Sequence, residues 1–448
     1  MNVLALIMAD SRNSHLGILA QDRSVSAVPF GGKYRVIDFA LSNCANSGLL
    51  NIGVLTQYQP HSLNDHIRTG RPWDLERKLA GGVTLLPPYL RSGSFLDWYR
   101  GTADAVYQNL DFILRHKPDT ILVLSADHVY KMDYSPLIRY HQQRQADVTL
   151  CVTAAPPGKP LPPDALATDD DGRVIAFHEQ ALDSPKVLAS MGVCAFRADR
   201  LIQRLTQNAR LFDSVYSLNQ DVLPRMLELG DQIYAYHFEG YAASVDTVQA
   251  YWEANMNLLS PAPPLDILDR RWNINTRSKD CPPVNIGPGS AVSNSLITDG
   301  CIIEGRVEHS VLSPGVRVRA GAVIWDSIIF HDCEIGPGAI VERAILDKNV
   351  VVGENVHIGI DLDRAPHRRS PDSPHSGVTL IGRNTRLPAG LRVGRDCVVC
   401  NDLTTDDLAD NLIVDNQRVG FQPANIALEP QFVAQEPRNG RQHIKESH

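Results

Sequence analysis

The chain has 448 residues, of which 43% are hydrophobic and 21% are charged, and its formal net charge is −8. This length and composition predict a globular protein of two domains. The negative charge argues against a nucleic-acid partner, which needs a concentrated basic surface. No apolar run approaches the ~20 residues that a membrane-spanning helix requires, so no membrane association is predicted. The eight scattered cysteines predict buried thiols in a reducing cytoplasm.

The first half of the chain alternates short apolar runs with amphipathic segments. Its apolar N-terminus carries no basic residues, so a first strand is predicted there and not a signal peptide. Strands are predicted at Val3–Met8, Ile52–Thr56, Thr120–Leu124 and Val148–Thr153, and helices at Asp38–Ser47 and Ala103–Arg115. This order predicts an α/β domain with an open, mostly parallel, Rossmann-like sheet. Because such sheets bind ligands at the carboxyl ends of their strands, the loops after Met8, after Leu124 and near Ser244 are expected to carry the chemistry.

A different period begins near Val284, where small aliphatic residues recur about every six positions and are often followed by glycine. Hexapeptide repeats of this kind predict a parallel β-helix, whereas a β-sandwich would show a clearer period of two. The predicted units are an α/β domain at 1–260, a Pro-rich linker at 261–283, a β-helix at 284–415 and a C-terminal extension at 416–448. Residues 361–377 are polar and Pro-rich, which predicts a loop between coils.

Several long motifs occur in an order that resembles one known family. They are Phe30–Cys44, Thr56–Gln59, Trp98–Ala105, Asp127–Tyr134 and Ala250–Asn255. These segments are similar to those of the ADP-glucose pyrophosphorylases (glucose-1-phosphate adenylyltransferases). The resemblance implies a nucleotidyltransferase domain followed by a left-handed β-helix, assembled as a tetramer. It also implies the synthesis of ADP-glucose and pyrophosphate from ATP and glucose 1-phosphate, a step of glycogen biosynthesis.

The phosphate loop of this family has the form Ala-Gly-Gly-x-Gly-Thr-Arg-Leu, and its glycines are missing here. Glycines let backbone N–H groups approach the phosphates, and the arginine neutralises their charge. The matching positions hold Asp10, Ser11, Arg12, Asn13, Ser14 and His15. His15 replaces the arginine and is largely neutral at pH 7. Asp10 adds negative charge where a triphosphate would lie, so nucleotide binding by this loop is expected to be weakened.

The cation that would hold the leaving pyrophosphate is also altered. In the family a lysine-proline pair stands shortly before the Gly-Gly-Lys run. Here Val25 and Ser26 occupy that pair, although Arg23 is present nearby. The cation that would hold the leaving pyrophosphate is therefore predicted to be absent, and Arg23 is a candidate catalytic residue only in an altered role.

The sugar-phosphate site implied by the resemblance is partly retained. The family has a Glu-Lys-Pro whose lysine meets the sugar phosphate, and the lysine is replaced in Glu179-Gln180-Ala181. Tyr99 and Ser190, at positions that contact the sugar phosphate in the family, remain. Asp164 occupies the position of a glycine that lies beside the sugar.

The resemblance implies that two aspartates hold Mg²⁺, a hard ion that prefers carboxylate and phosphate oxygens. Asp127 matches the first of them. The second position falls on Ser244, and the nearest carboxylate, Asp246, is displaced by about 6–7 Å along an extended strand. Half of the magnesium site is therefore predicted to be missing.

The altered positions lie in separate segments, and the motifs between them are intact. The leading hypothesis is a catalytically impaired cytoplasmic family member that regulates a catalytic homologue within a homo- or hetero-tetramer and binds sugar-phosphate effectors between its domains. One alternative is an active Mg²⁺-dependent enzyme that uses Arg12, Arg23 and Asp127 in altered roles. Another is a non-enzymatic sensor of a nucleotide or a sugar phosphate.

Overall fold

The structure is a computed structural model, and it describes residues 2–9, 15–76, 81–89, 98–154, 164–177, 187–211, 214–360, 377–408 and 412–420. Asp10, Ser11, Arg12, Asn13 and Ser14 of the predicted phosphate loop lie outside the described residues, as do Glu179 and Gln180. Residues 361–376 of the predicted loop between coils also lie outside them.

A mixed sheet with a parallel centre forms the first domain and confirms the predicted α/β fold class. The strands of this domain are β1 (Val3–Met8), β2 (Pro29–Phe30), β3 (Tyr34–Arg35), β4 (Asn51–Leu55), β5 (Gly82–Leu86), β6 (Thr120–Ser125), β7 (His128–Tyr130), β8 (Val148–Ala154), β9 (Ala165–Thr168), β10 (Val174–Phe177), β11 (Val187–Arg197), β12 (Ile233–His237) and β13 (Ala242–Ser244). β1 pairs in parallel with β4 and β6, and β4 pairs in parallel with β5. Because β1 is buried from residue 4 to residue 8, it has the continuous apolar sequence expected of a central parallel strand.

The long strand β11 changes the topology from the all-parallel pattern of the centre. It runs antiparallel to β6, β8 and β9, and β12 then pairs in parallel with β8. The ladder with β8 shifts register between Ser190 and Cys194, which marks a bulge at Gly192. A β-bulge bends its strand and redirects nearby side chains, and this one lies beside the carboxyl end of β6.

Helices cover the sheet, and their bounds are α1 (Val36–Asn46), α2 (Pro60–Ile67), α3 (Thr102–Gln108), α4 (Leu110–His116), α5 (Tyr134–Gln143), α6 (Ala198–Asn208), α7 (Leu223–Glu228) and α8 (Val248–Asn257). The single helix predicted at Ala103–Arg115 is wrong, because α3 and α4 are separated at Asn109. The side-chain amide of Asn109 donates to the carbonyl of Ala105 and to the hydroxyl of Tyr99, both at 2.9 Å. Asparagine competes in this way with the regular hydrogen bonds of a helix.

The second domain is a parallel β-helix of three sheets, as the hexapeptide period predicts. One sheet has Asn285–Ile286, Ile302–Ile303, Arg317–Val318, Glu334–Ile335, Val351–Val352 and Arg386–Leu387. The second has Ala291–Ser293, Arg306–Glu308, Val323–Trp325, Ile340–Glu342, His357–Ile360, Arg392–Gly394 and Leu412–Ile413. The third has Leu296–Ile297, Val311–Leu312, Ile328–Ile329, Ala344–Leu346, Thr379–Ile381, Val398–Val399 and Arg418–Val419. The strand Arg418–Val419 pairs with Val398–Val399. It lies beyond residue 415, the end predicted for the β-helix.

One corner of the β-helix is a column of residues with left-handed backbone angles. Asp332, Asn349, Asn384 and Asp402 have φ between 57° and 62°, a conformation that Asn and Asp tolerate better than other side chains. Asn349 donates to Asn384 at 3.0 Å, and Asn384 donates to Asp402 at 2.7 Å. These hydrogen bonds hold successive coils together along the corner.

The two domains share one apolar core. Tyr251 of α8 packs edge-to-face on Phe330 of the β-helix with ring centroids 6.4 Å apart, and such pairs contribute about 0.5–1.5 kcal/mol beyond the area that they bury. The indole of Trp252 donates to the carbonyl of Asp326 at 3.0 Å. The predicted linker also packs against α1, since Trp272 donates to Asn43 at 2.9 Å. The position of the β-helix against the first domain is therefore set by side-chain packing. Among the described helices, none has the length and apolar character needed to cross a bilayer.

Candidate active site at the carboxyl ends of β1 and β6

The candidate site forms where the two central strands end side by side. Met8 is the register partner of Ser125, and the N–H of Ala126 donates to the carbonyl of Met8 at 3.1 Å. The chain then turns through Asp127 into β7. Gly192 of β11 has a φ of +65°, and a Cβ built on it would lie 2.6 Å from the Cβ of Ser125. Only glycine fits this approach without displacement, so the bulge of β11 fixes the end of β6.

Asp127 is held by the residues beside it. Its carboxylate accepts a hydrogen bond from the hydroxyl of Ser125 and lies 2.6 Å from Nδ1 of His128. Burial alone would raise the pKa of Asp127, but the charge and hydrogen bond of His128 and the bond from Ser125 lower it to about 2. The carboxylate is therefore ionised near neutral pH and already has two neighbouring polar partners.

The position predicted for the second metal ligand lies across from this pair. Ser244 in β13 is the register partner of His128 in β7, and the N–H of Val245 donates to the carbonyl of Asp127 at 2.9 Å. Positions 127 and 244 therefore lie in adjacent segments, and position 244 carries a hydroxyl group; the metal-binding roles predicted for these positions stay predictions. Asp246, two residues after Ser244, also affects the pKa of His128. Burial opposes protonation of His128, but Asp127, with Asp164 and Asp246, raises its pKa above the usual value.

The side chains of Asp127 and Ser244 do not fit a Mg²⁺ site well. Mg²⁺ requires near-octahedral oxygen coordination and is usually held by one or two carboxylates together with waters and substrate phosphates. The carboxylate of Asp127 is hydrogen-bonded to Ser125 and His128. Ser244 lies opposite His128 in the adjacent strand. Within the described residues, no group of three or more His, Cys, Asp or Glu side chains has the arrangement of a metal site.

His15 lies at the same edge of the sheet. It forms an isolated parallel bridge with Thr247, whose side chain caps α8 by accepting a hydrogen bond from the N–H of Ala250 at 3.2 Å. The end of the predicted phosphate loop is thereby placed next to the Ser244–Thr247 segment. The catalytic role predicted for His15 stays a prediction.

A small pocket is lined by two of the residues for which a sugar contact is predicted. Asp164 and Ser190 both line it, together with Asn219 and the apolar side chains of Leu150, Leu166, Phe177 and Leu223. The two residues come from β11 and from the turn before β9, strands that pair antiparallel in the sheet. Sequence motifs separated by 26 positions are therefore adjacent in the fold.

Tyr99 lies in the core and not on an open surface. It is 1% exposed, its hydroxyl donates to the carbonyl of Leu86 at 2.9 Å, and it accepts from Asn109 at 2.9 Å. Its backbone N–H and carbonyl are both bonded to the side chain of Gln57. The substrate contact predicted for Tyr99 stays a prediction, and what the structure adds is that the residue anchors the start of α3.

Arg23 points to the β-helix. Its guanidinium forms a buried ion pair with Asp347, and both side chains are almost completely covered. Its other terminal nitrogen has no hydrogen-bond partner among the described residues. The ion pair joins the two domains, and the catalytic role predicted for Arg23 stays a prediction.

Sequence reasoning missed a basic cluster around this ion pair, formed by Arg23, Arg35, Lys348 and His331. Burial, together with the repulsion of Arg23, lowers the pKa of Arg35 to about 10, although Asp38 opposes the shift. Burial and the charges of Arg35 and Arg23 lower the pKa of Lys348 to about 7, against a smaller opposing effect of Asp347. The pKa of His331 is lowered to about 3 by burial and by its cationic neighbours, chiefly Lys348. The sequence signal for this cluster was weak, because its members are separated by up to 325 positions.

Comparison with known proteins agrees with this architecture. The nucleotidyl transferase family model matches residues 4–261, and the GlmU-like C-terminal hexapeptide model matches residues 285–381. The fold and these matches define a domain of the nucleotidyl transferase family joined to a hexapeptide β-helix.

Curated relatives narrow the assignment. Glucose-1-phosphate adenylyltransferase of Thermomicrobium roseum is 45% identical over 93% of this chain and 97% of the relative. The enzymes of that name from Pseudothermotoga lettingae and Acetivibrio thermocellus are 42% and 39% identical, over 89% and 90% of this chain and 94% of each relative. The chain belongs to the glucose-1-phosphate adenylyltransferase family.

Proposed function

We propose that this chain is a catalytically impaired family member of the ADP-glucose pathway that acts as a regulatory subunit of a cytoplasmic tetramer, beside a catalytic homologue. The observation that carries the proposal is the pairing of Ser244 with His128, because a carboxylate is needed at that position to complete the metal site. The rest of the chain supports membership of the family, because the two family models match residues 4–261 and 285–381.

The chemistry of the reaction explains why this change matters. When a sugar phosphate attacks the α-phosphorus of ATP, catalysis consists of positioning the groups and neutralising phosphate charge with metal and cations. The described part of the cleft instead gathers the negative charges of Asp127, Asp164 and Asp246 around His128. Arg23, the retained cation, is paired with Asp347 at the domain interface. A triphosphate in this cleft would meet repulsion with little compensation.

A regulatory role is supported by the basic cluster between the domains. Burial and mutual repulsion lower the pKa of Arg35, Lys348 and His331, so Asp38 and Asp347 compensate the positive charge there only in part. A sugar-phosphate effector would neutralise that excess and would bind the two domains together. Because binding to one assembled state stabilises that state, an effector in this cluster can alter the activity of a neighbouring catalytic subunit.

The decisive experiment measures ADP-glucose formation from ATP, glucose 1-phosphate and Mg²⁺ by the purified chain alone. The same assay is then run with a homologue that keeps the glycine-rich loop, the lysine-proline pair, the Glu-Lys-Pro and the second aspartate. We expect negligible turnover alone, co-purification as a tetramer, and a changed effector response of the homologue. Ordinary turnover by the isolated chain, abolished in Asp127→Asn, would establish the active-enzyme alternative instead.

The role of the basic cluster is tested in the mixed tetramer. Lys348→Gln should weaken the response to sugar-phosphate effectors, whereas Lys117→Gln, which alters an exposed lysine far from the cluster, should leave it unchanged. A chain that forms no tetramer, but whose melting temperature rises with a nucleotide or a sugar phosphate, would support the sensor alternative.

A further inference from the structure

The first coil of the β-helix forms an open end of the domain. Its strands Asn285–Ile286, Ala291–Ser293 and Leu296–Ile297 are the first strands of the three sheets, and among the described residues each pairs with one neighbouring strand only. A strand at the edge of a sheet presents a row of unpaired N–H and C=O groups. Three such edges lie together at this end.

The apolar interior of the β-helix reaches the surface at the same end. Ile286 and Val292 are the register partners of Ile303 and Val307 in the next coil. Ile303 and Val307 are 0% exposed, whereas Ile286 is 56% exposed and Val292 is 37% exposed. No further coil of the described residues covers the first one. The terminal repeat of such a domain needs a polar outer face for solubility, so an apolar end indicates a surface that a partner covers.

This end of the domain carries no charge. Residues 281–298 contain no Asp, Glu, Lys, Arg or His, whereas the next coil has Glu304, Arg306 and Glu308. Charged side chains are one of the features by which natural proteins prevent a strand edge from pairing with another chain. The first coil lacks that protection.

The absence of charge suits a second copy of the same surface. Two copies related by a two-fold axis present the same patch to each other, so a charged residue near the axis would meet its own equivalent, and like charges at an interface oppose binding. A partner of opposite charge would find no charge to pair with. A two-fold axis perpendicular to Ala291–Ser293 sets this strand antiparallel to its equivalent, which is the arrangement that two free edges need for pairing.

We propose that a second copy of this chain docks end to end on the first coil of the β-helix, with the edges of Ala291–Ser293 paired and with Ile286 and Val292 in the contact. Each copy then covers the open apolar end of the other, and the free strand edges gain hydrogen-bond partners. The inference names one contact within the tetramer of the proposed function, and it rests on that proposal only for the number of subunits.

Light scattering on the purified full chain at micromolar concentration measures the association state. We expect an average mass of at least twice that of one chain, and Val292→Glu should halve it, because the new charge meets its own equivalent across the axis. Leu412→Glu is the matched control. It places the same charge on an exposed apolar residue of the same sheet at the opposite end of the β-helix, and it should keep the wild-type mass. A monomeric wild type, an unchanged mass of Val292→Glu, or an equal decrease in Leu412→Glu would overturn the inference.

Ser293→Lys decides the matter if Val292→Glu does not fold. Ser293 is exposed and is the register partner of Glu308, so a lysine there leaves the apolar column unchanged and blocks pairing of the edge. We expect this variant to halve the mass and to lose the protection of residues 284–298 from amide hydrogen exchange. Wild-type mass and protection in Ser293→Lys would contradict the proposal.

The outcomes separate this inference from the proposed function. Protection of residues 284–298 that appears only when the catalytic homologue is added would assign this surface to the homologue and refute docking of a second copy. A chain that docks on itself but synthesises ADP-glucose at an ordinary rate would refute the proposed function alone. A regulatory chain whose association does not depend on Val292 and Ser293 would refute this inference alone.

Discussion

Arg23 and Asp347 lie 324 positions apart and form an ion pair buried between the two domains. Removing one partner of a buried pair leaves an uncompensated charge, which costs about 3–5 kcal/mol. Asp347→Asn is therefore expected to lower the free energy of unfolding by about that amount, as measured by urea denaturation. Glu308→Gln, which breaks the exposed pair with Arg306, is the control and should cost less than about 1 kcal/mol. Equal effects of the two substitutions would show that the interdomain pair does not stabilise the protein.

Gly192 is expected to be intolerant of a side chain for two separable reasons. Its φ of +65° strains any other residue, and an added Cβ would lie 2.6 Å from the Cβ of Ser125. Gly230 provides the control, because its φ is +77° and nothing lies within 4 Å of an added Cβ. We expect Gly230→Ala to cost about 1 kcal/mol from backbone strain alone. Gly192→Ala should cost about 2 kcal/mol more because of the contact with β6, and equal shifts in thermal unfolding would contradict this.

Protonation of the buried His141 is expected to lower the stability of the protein in mild acid. Its side chain is buried against Thr149, with Nδ1 2.9 Å from the threonine hydroxyl. Burial lowers its pKa to about 4, with Asp147 opposing the shift and Arg197 adding to it. Because the unfolded state takes up a proton below about pH 6.5 and the folded state does not until about pH 4, the stabilisation is present above pH 6.5 and lost as the pH falls to 4.

The size of that effect is on the order of 3 kcal/mol, from a pKa difference of about 2.5. Unfolding free energies of the wild type and of His141→Gln, measured from about pH 7 down to about pH 4, isolate it from the other titrating groups. The difference between the two proteins should shrink across this interval. A difference that stays constant with pH would show that His141 titrates normally.

Ser244→Asp is expected to restore a second carboxylate opposite His128. Since Mg²⁺ prefers carboxylate oxygens, we expect its affinity for the variant to rise at least about tenfold, equivalent to about 1.4 kcal/mol. Titration calorimetry with Mg²⁺ alone measures this change without requiring turnover. Ser244→Asn has a similar size and no charge, and it should behave like the wild type. If the aspartate and asparagine variants bind Mg²⁺ equally, position 244 does not contribute to a metal site.

Local patterns predicted much of the fold. The first strand was predicted at Val3–Met8 and is observed there, and the strand predicted at Thr120–Leu124 ends one residue later. The first is apolar throughout and the second is apolar from Ile121 to Leu124, because both are buried on both faces of a sheet. The six-residue period predicted the β-helix because each coil must present a small aliphatic side chain to its interior. The proximity of positions 127 and 244 followed from the family motifs and is present in the β7–β13 pair.

Long-range contacts were beyond prediction from one sequence. The antiparallel course of β11, with its bulge at Gly192, depends on pairing with strands on both sides, and no local period encodes that choice. The contact between Arg23 and Asp347, which lie far apart in the sequence, was not predicted. A buried charged side chain pairs with the opposite charge that tertiary packing places beside it. The residues adjacent to it in sequence do not specify that partner.

The amino-acid sequence by itself determined the two repeating patterns, the order of the domains and the serine at position 244, where the family resemblance implies a carboxylate. These properties depend on residue identity and on spacing over a few positions. Only the tertiary structure decided that Asp164 and Ser190 line one pocket, which cations meet between the domains, and that Tyr99 is enclosed in the core. Burial and electrostatic fields are sums over residues that are distant in sequence, so they are defined only once the chain has folded.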